Sequence, residues 1–224
     1  MSVLSRISNP RDPKSLSYRL RAKRDRFLRE FLLRNAARGG RRILDLGGTA
    51  HYWHRVGLDF LRENKFEITV VNLTETDLGE GPFNLLVGDA TALDQPDNAY
   101  DIVHSNSVIE HVGGADQVAA FARESQRLAP AHYMQTPNHG FPIDPHFWRM
   151  PGFHWLPEST RVSLLQRFPI ATAGRLPDQE NARRAVEGTR LLTIEDVRRL
   201  FPDSALRFER FAGLKKSIIA WRDA

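Results

Sequence analysis

The chain has 224 residues, of which 41% are hydrophobic and 26% charged, with a formal net charge of +5 and no cysteine. That length suits one α/β domain with decorations, and the ordinary composition excludes a fibrous or disordered chain. The lack of cysteine excludes disulfide frameworks, thiolate catalysis and cysteine-ligated metals, and with no apolar run near the roughly 20 residues of a membrane span and no signal-peptide pattern, a cytoplasmic location is expected.

Positive charge is concentrated at the start, where residues 1–42 hold thirteen Lys and Arg against three acidic residues. Such a segment is either a footprint for phosphate or a helix face whose Arg stems cover apolar surface. Residues 1–40 read as a basic helical extension, with Leu16, Leu20, Phe27, Phe31 and Leu32 near helical spacing and a stop at Gly39-Gly40. Residues 42–46 form a short apolar strand running into Gly47-Gly48, and Tyr52 to Glu63 a crossover helix. Further strands are expected at 66–73, 83–87, 100–105 and 132–136, with a helix at 115–128 between the last two. Alternation of apolar strands with crossover segments implies a mainly parallel sheet covered by helices on both faces. Thr193 caps a helix over 194–200, and runs at 206–211 and 217–221, joined by 212–215, close the chain with an antiparallel hairpin. Residues 137–190, rich in Pro, aromatic residues and Arg, are too long for a plain loop and read as a lid or substrate-binding insertion.

In an open parallel sheet, ligands sit at the carboxyl ends of the strands, near the point where strand order reverses. After the first strand stand Asp45-Leu46-Gly47-Gly48-Thr49-Ala50, where glycines admit close backbone approach and Asp45 can pair with an ammonium or an ordered water. The third glycine of the dinucleotide fingerprint is missing. Residues 43–50 resemble the D-x-G-x-G loop of class I S-adenosylmethionine (SAM)-dependent methyltransferases, with Thr49 where that pattern usually has its second glycine. Asn72, followed by Leu73, stands where the family usually places a ribose-binding acid. Gly88-Asp89-Ala90-Thr91 is similar to the family's third-strand motif, which implies that Asp89 and Ala90 meet the adenine. Residues 97–112, including Ser105-Asn106-Ser107 and Glu110-His111, resemble the long fourth-strand signature.

The resemblance implies a single Rossmann-like, doubly wound α/β domain over residues 1–224, with a mainly parallel seven-stranded sheet and an antiparallel C-terminal hairpin edge. It implies SAM as cofactor and S-adenosylhomocysteine as product. Cofactor binding is expected at Asp45, Gly47, Gly48, Thr49, Asn72, Leu73, Asp89, Ala90, Ser105 and Asn106. His111 falls near the position of the sulfonium methyl and is the candidate catalytic group, as a base or by orienting the acceptor. His139, His146 and Trp148, just beyond the fifth strand, are candidate acceptor-binding residues. Some relatives that methylate ubiquinone precursors or small RNAs bind a divalent ion through Glu-x-x-Glu-His; here Ser107 replaces the first glutamate. That leaves Glu110 and His111, with His139, Asp144 and His146 as possible additional ligands; two adjacent ligands do not make a site, so no metal is expected. The expected acceptor is an oxygen or nitrogen of a small molecule or glycoconjugate. One alternative is an RNA methyltransferase using the basic helix, and another is a SAM-binding protein that transfers no methyl group.

Overall fold

A computed structural model of the chain describes residues 16–224, with side chains described from residue 22 onward. The first fifteen residues of the basic extension lie outside the described part. Helix α1 (Leu16–Ala36) forms as expected. Phe27, Leu28, Phe31 and Leu32 recur at helical spacing and are buried against the sheet. Burial of each such side chain contributes about 1.5–3 kcal/mol.

Strand β1 (Arg42–Leu46) follows, then α2 (Ala50–Val56) and α3 (Leu58–Glu63). The single crossover helix expected over 52–63 is therefore two. The chain breaks at Gly57, whose φ of 116° is open to glycine, and whose missing Cβ leaves space for the Arg29 guanidinium to reach the Val56 carbonyl. Next come β2 (Glu67–Asn72), β3 (Phe83–Val87) and β4 (Ile102–Asn106), then a 3-10 turn at Ile109–His111, α4 (Ala115–Arg127) and β5 (Ala131–Pro137).

The chain continues through α5 (Glu158–Arg167), α6 (Gln179–Glu187) and α7 (Ile194–Leu200), and ends in β6 (Ala205–Phe211) and β7 (Leu214–Arg222). Thr193 caps α7 in a reciprocal capping box with Asp196. The hairpin turns on two residues, Ala212 and Gly213, both at positive φ, the geometry whose twist suits adjoining strands.

Seven strands form one sheet in the order β3-β2-β1-β4-β5-β7-β6. The first five are parallel, and β7 lies antiparallel between β5 and β6. One face packs on α1, α2 and α3 through Phe31, Trp53, Ile68 and Tyr133; the other packs on α4 and α7 through Leu44, Val103, Phe121 and Val197. Strand order reverses between β1 and β4, so the ends of these two strands border the crevice typical of the fold. The insertion carries its own small core of Phe147, Phe153, Val162, Leu165, Ala182 and Val186. Among the described residues no helix is long and apolar enough to cross a membrane.

Candidate active site

The turn after β1 is shaped from within. Asp45 is 1% exposed and both its carboxylate oxygens are occupied: Oδ2 accepts from Trp53 Nε1 at 2.7 Å, and Oδ1 lies 2.7 Å from His104 Nδ1. A Cβ on Gly48 would stand 1.6 Å from Asp45 Oδ2, and one on Gly47, at φ 68°, would stand 2.6 Å from Val108 Cγ1. The two glycines thus make room for the protein's own side chains. Asp45 supports the turn from beneath. Thr49 caps α2, accepting from the Tyr52 amide.

The other strand ends supply the polar rim. Asn72 donates through Nδ2 to the Gly48 carbonyl at 3.2 Å, tying the end of β2 to the turn. A carboxylate at position 72 would set an acceptor against that carbonyl, so the family's usual acid does not suit this turn. Leu73 is 75% exposed. Asp89 is exposed and closes an Asx turn, its Oδ1 accepting from both the backbone and the hydroxyl of Thr91, while Ala90 is half-buried. Ser105 is buried and donates to the Leu46 carbonyl, whereas Asn106 carries a buried Oδ1 without a partner among the described residues. Ser107, at φ 58°, donates to Gln135 Oε1, which also receives Arg24 of α1 at 3.3 Å.

SAM carries no phosphate and needs hydrogen-bonding groups, an apolar adenine seat and close backbone approach. Gly47, Gly48, Asn72, exposed Leu73, Asp89 and the orphaned Asn106 oxygen provide that set at adjoining strand ends. The residues fit the cofactor. Two expected members, Asp45 and Ser105, instead turn their side chains inward.

Beyond Val108, the 3-10 turn holds Glu110 and His111. Glu110 is 1% exposed; its Oε2 accepts from the Thr136 hydroxyl at 3.0 Å, its Oε1 lacks a partner among the described residues, and burial pushes its carboxyl up to about 7. His111 Nδ1 lies 2.9 Å from the Gly188 carbonyl and so carries the proton, leaving Nε2 free, and desolvation lowers its pKa. The insertion brings His146 against it, ring centroids 4.7 Å apart and perpendicular. His146 Nδ1 is in turn 2.7 Å from Asp144 Oδ1.

The three residues expected to face the acceptor do not come together. His146 joins His111. His139 lines a cavity of about 660 Å³ with Gly113, His154, Arg161, Thr189 and Asp196. Trp148 is 44% exposed beside Arg149. Asp144, a possible metal ligand by sequence, is instead turned to its neighbour, its Oδ1 accepting from the His146 amide two residues on as well as facing the His146 ring.

A family profile described as a methyltransferase domain matches residues 20–175, well over half of the chain. The chain belongs to this family. It is a class I SAM-dependent methyltransferase, an enzyme whose methyl donor is SAM. The match reaches past the motif region into the insertion, as far as residue 175. No curated protein matches the sequence. Among solved structures, a protein of Pyrococcus horikoshii resembles the methyltransferase at a TM-score of 0.54 and 18% identity, covering 100% of this chain and 99% of that one. A SAM-dependent methyltransferase of Archaeoglobus fulgidus matches at 0.54 and 16%, covering 93% and 96%. An O-methyltransferase family protein of Burkholderia thailandensis matches at 0.53 and 14%, covering 92% of this chain and 57% of that one. These likenesses bear on the fold, and the seven-stranded sheet of the methyltransferase agrees with them.

Proposed function

We propose that this enzyme methylates an oxygen or nitrogen of a small molecule or glycoconjugate in the cytoplasm. The observation that carries the reading is where the basic helix spends its charge. Arg24 lies 3.6 Å from Glu209, Arg29 bonds the Val56 carbonyl, Arg34 pairs with Asp223 at 2.9 Å, and Arg38 bonds the carbonyl of Ala224. These four arginines engage the domain's own hairpin and helices, and Arg24, with a side chain only 10% exposed, is poorly available to phosphate.

The cavity that His139 lines supports the same reading. A volume of about 660 Å³ lies within the range of small-ligand sites, and its His139, His154, Arg161, Thr193 and Asp196 offer donors and acceptors suited to hydroxyl-bearing molecules. Its rim residue Gly113 lies two positions after His111, and its Thr189 adjoins the Gly188 that His111 bonds. None of the proposed cofactor residues Gly47, Asn72, Asp89 and Asn106 lines it. Bound SAM supplies an electrophilic methyl on sulfur. The chain holds the cofactor at Gly47, Gly48, Asn72, Leu73, Asp89, Ala90 and Asn106, with Asp45, Thr49 and Ser105 fixing the turn. His111, neutral near pH 7, meets the acceptor, while His139 and His146 border its path from the insertion. Alignment of the nucleophile provides much of the rate.

The test sets small hydroxyl and amine acceptors against RNA. SAM consumption is expected with members of the first set, and filter binding to RNA is expected to be weak, sequence-blind and lost as salt rises. Tight, structure-selective RNA binding that persists at moderate salt would overturn the proposal in favour of an RNA methyltransferase.

A further inference from the structure

We infer that Glu110, His111 and His146 form a binding site for one divalent transition-metal ion, where the end of β4 meets the insertion. In sequence, Glu110 and His111 are two adjacent ligands with His139, Asp144 and His146 as possible additions. Of these additions, the fold brings His146 to the pair. One ligand atom from each of the three residues lies within 4.8 Å of the others.

The atoms left over by the hydrogen-bond network are the ones an ion would use. His111 has its Nδ1 committed to the Gly188 carbonyl, and His146 has its Nδ1 committed to the Asp144 carboxylate, so each presents a lone pair on Nε2. Glu110 has Oε2 committed to Thr136, and its buried Oε1 faces no donor among the described residues. A buried carboxylate oxygen without a donor is costly unless a cation sits against it. Each ligand therefore has an outer partner that orients it, the arrangement that accompanies metal-binding imidazoles and carboxylates.

Two imidazoles and one carboxylate select zinc, iron(II), cobalt(II) or manganese over magnesium or calcium, which prefer all-oxygen shells. Three protein ligands leave at least one position for water or an oxygen ligand, as in open zinc sites. An ion would draw the ligand atoms from within 4.8 Å to the roughly 3.4 Å separation of a tetrahedral shell. Because His146 belongs to the insertion, the same ion fastens the insertion to the strand end. Ligation uses the Nε2 with which His111 would otherwise meet the acceptor, so in the metal-bound enzyme the acceptor meets the ion instead.

The inference concerns metal binding and stands whether the acceptor is a small molecule or RNA. Untagged protein is stripped with EDTA, dialysed, and titrated with Zn²⁺ by calorimetry and with Co²⁺ by visible absorption, without SAM or acceptor. One equivalent per chain is expected, with intense cobalt bands of a four-coordinate site. His146→Ala, at a part-exposed position, should abolish the stoichiometric phase while circular dichroism stays native. Asp144→Asn should weaken binding about 10- to 100-fold by freeing the imidazole it orients. His51→Ala, an exposed histidine outside the cluster, should change nothing. No saturable binding by the parent protein, or the same binding by His146→Ala, would overturn the inference.

Discussion

His104 and His146 each hold a carboxylate at the same 2.7 Å, yet they sit in opposite surroundings. His104 and its partner Asp45 are both 1% exposed, enclosed by Trp53, Tyr52 and Tyr133. The His146 side chain is 28% exposed beside a buried Asp144, and it lies within ligand reach of Glu110 and His111. The sealed pair can only carry structure, because nothing reaches it. The open pair can exchange its unused lone pair for a ligand. Identical local chemistry therefore separates into scaffold and site according to what encloses it.

The sharpest way to break this comparison is to remove the sealed carboxylate. Asp45→Ala strands the His104 and Trp53 donors in the core and should cost about 3–5 kcal/mol in urea-unfolding stability. Gly48→Ala should act through the same pair, since its Cβ would displace the Asp45 carboxylate. We expect about 2–3 kcal/mol alone and less than the sum when combined with Asp45→Ala. Additive losses would show that the turn and the pair are independent.

A second sealed histidine gives the enclosed side a pH signature. His132 is buried on β5 with Nε2 2.6 Å from Ser204 Oγ, and burial lowers its pKa to about 3 from 6.5. The folded state keeps it neutral while the unfolded chain takes a proton. Its contribution is present above pH 6.5 and is lost as pH falls toward 3, at about 1.4 kcal/mol per pH unit. The acid limb of stability against pH should flatten in His132→Asn, and an unchanged limb would remove His132 as its cause.

The smallest effect is expected on the open side. Asp144→Asn leaves a neutral acceptor near a half-buried histidine and should cost about 1 kcal/mol or less in metal-free protein. A loss as large as that of Asp45→Ala would mean that the two pairs do the same structural work.

Patterns within a few residues were enough to place much of the fold. Strands β1 and β3 were read with the limits they have, and α1, α7 and the closing hairpin with limits within a few residues, because strand alternation, helical spacing, Thr193 and Gly213 act over one or two turns of chain. The glycine turn, Asn72, Asp89 and Asn106 could be named as candidates from the motifs, since strand ends in this fold carry the ligand. Packing alone decided the rest. Arg29 fills the space beside Gly57, Asp45 turns under the glycines to Trp53 and His104, and Arg34 pairs with Asp223, 189 residues on. Likewise Glu110 and His111 meet His146 only when the insertion folds on its own core and returns past β5. These pairings join residues distant in sequence, and local pattern carries no information about which distant side chain burial will bring within a few ångströms.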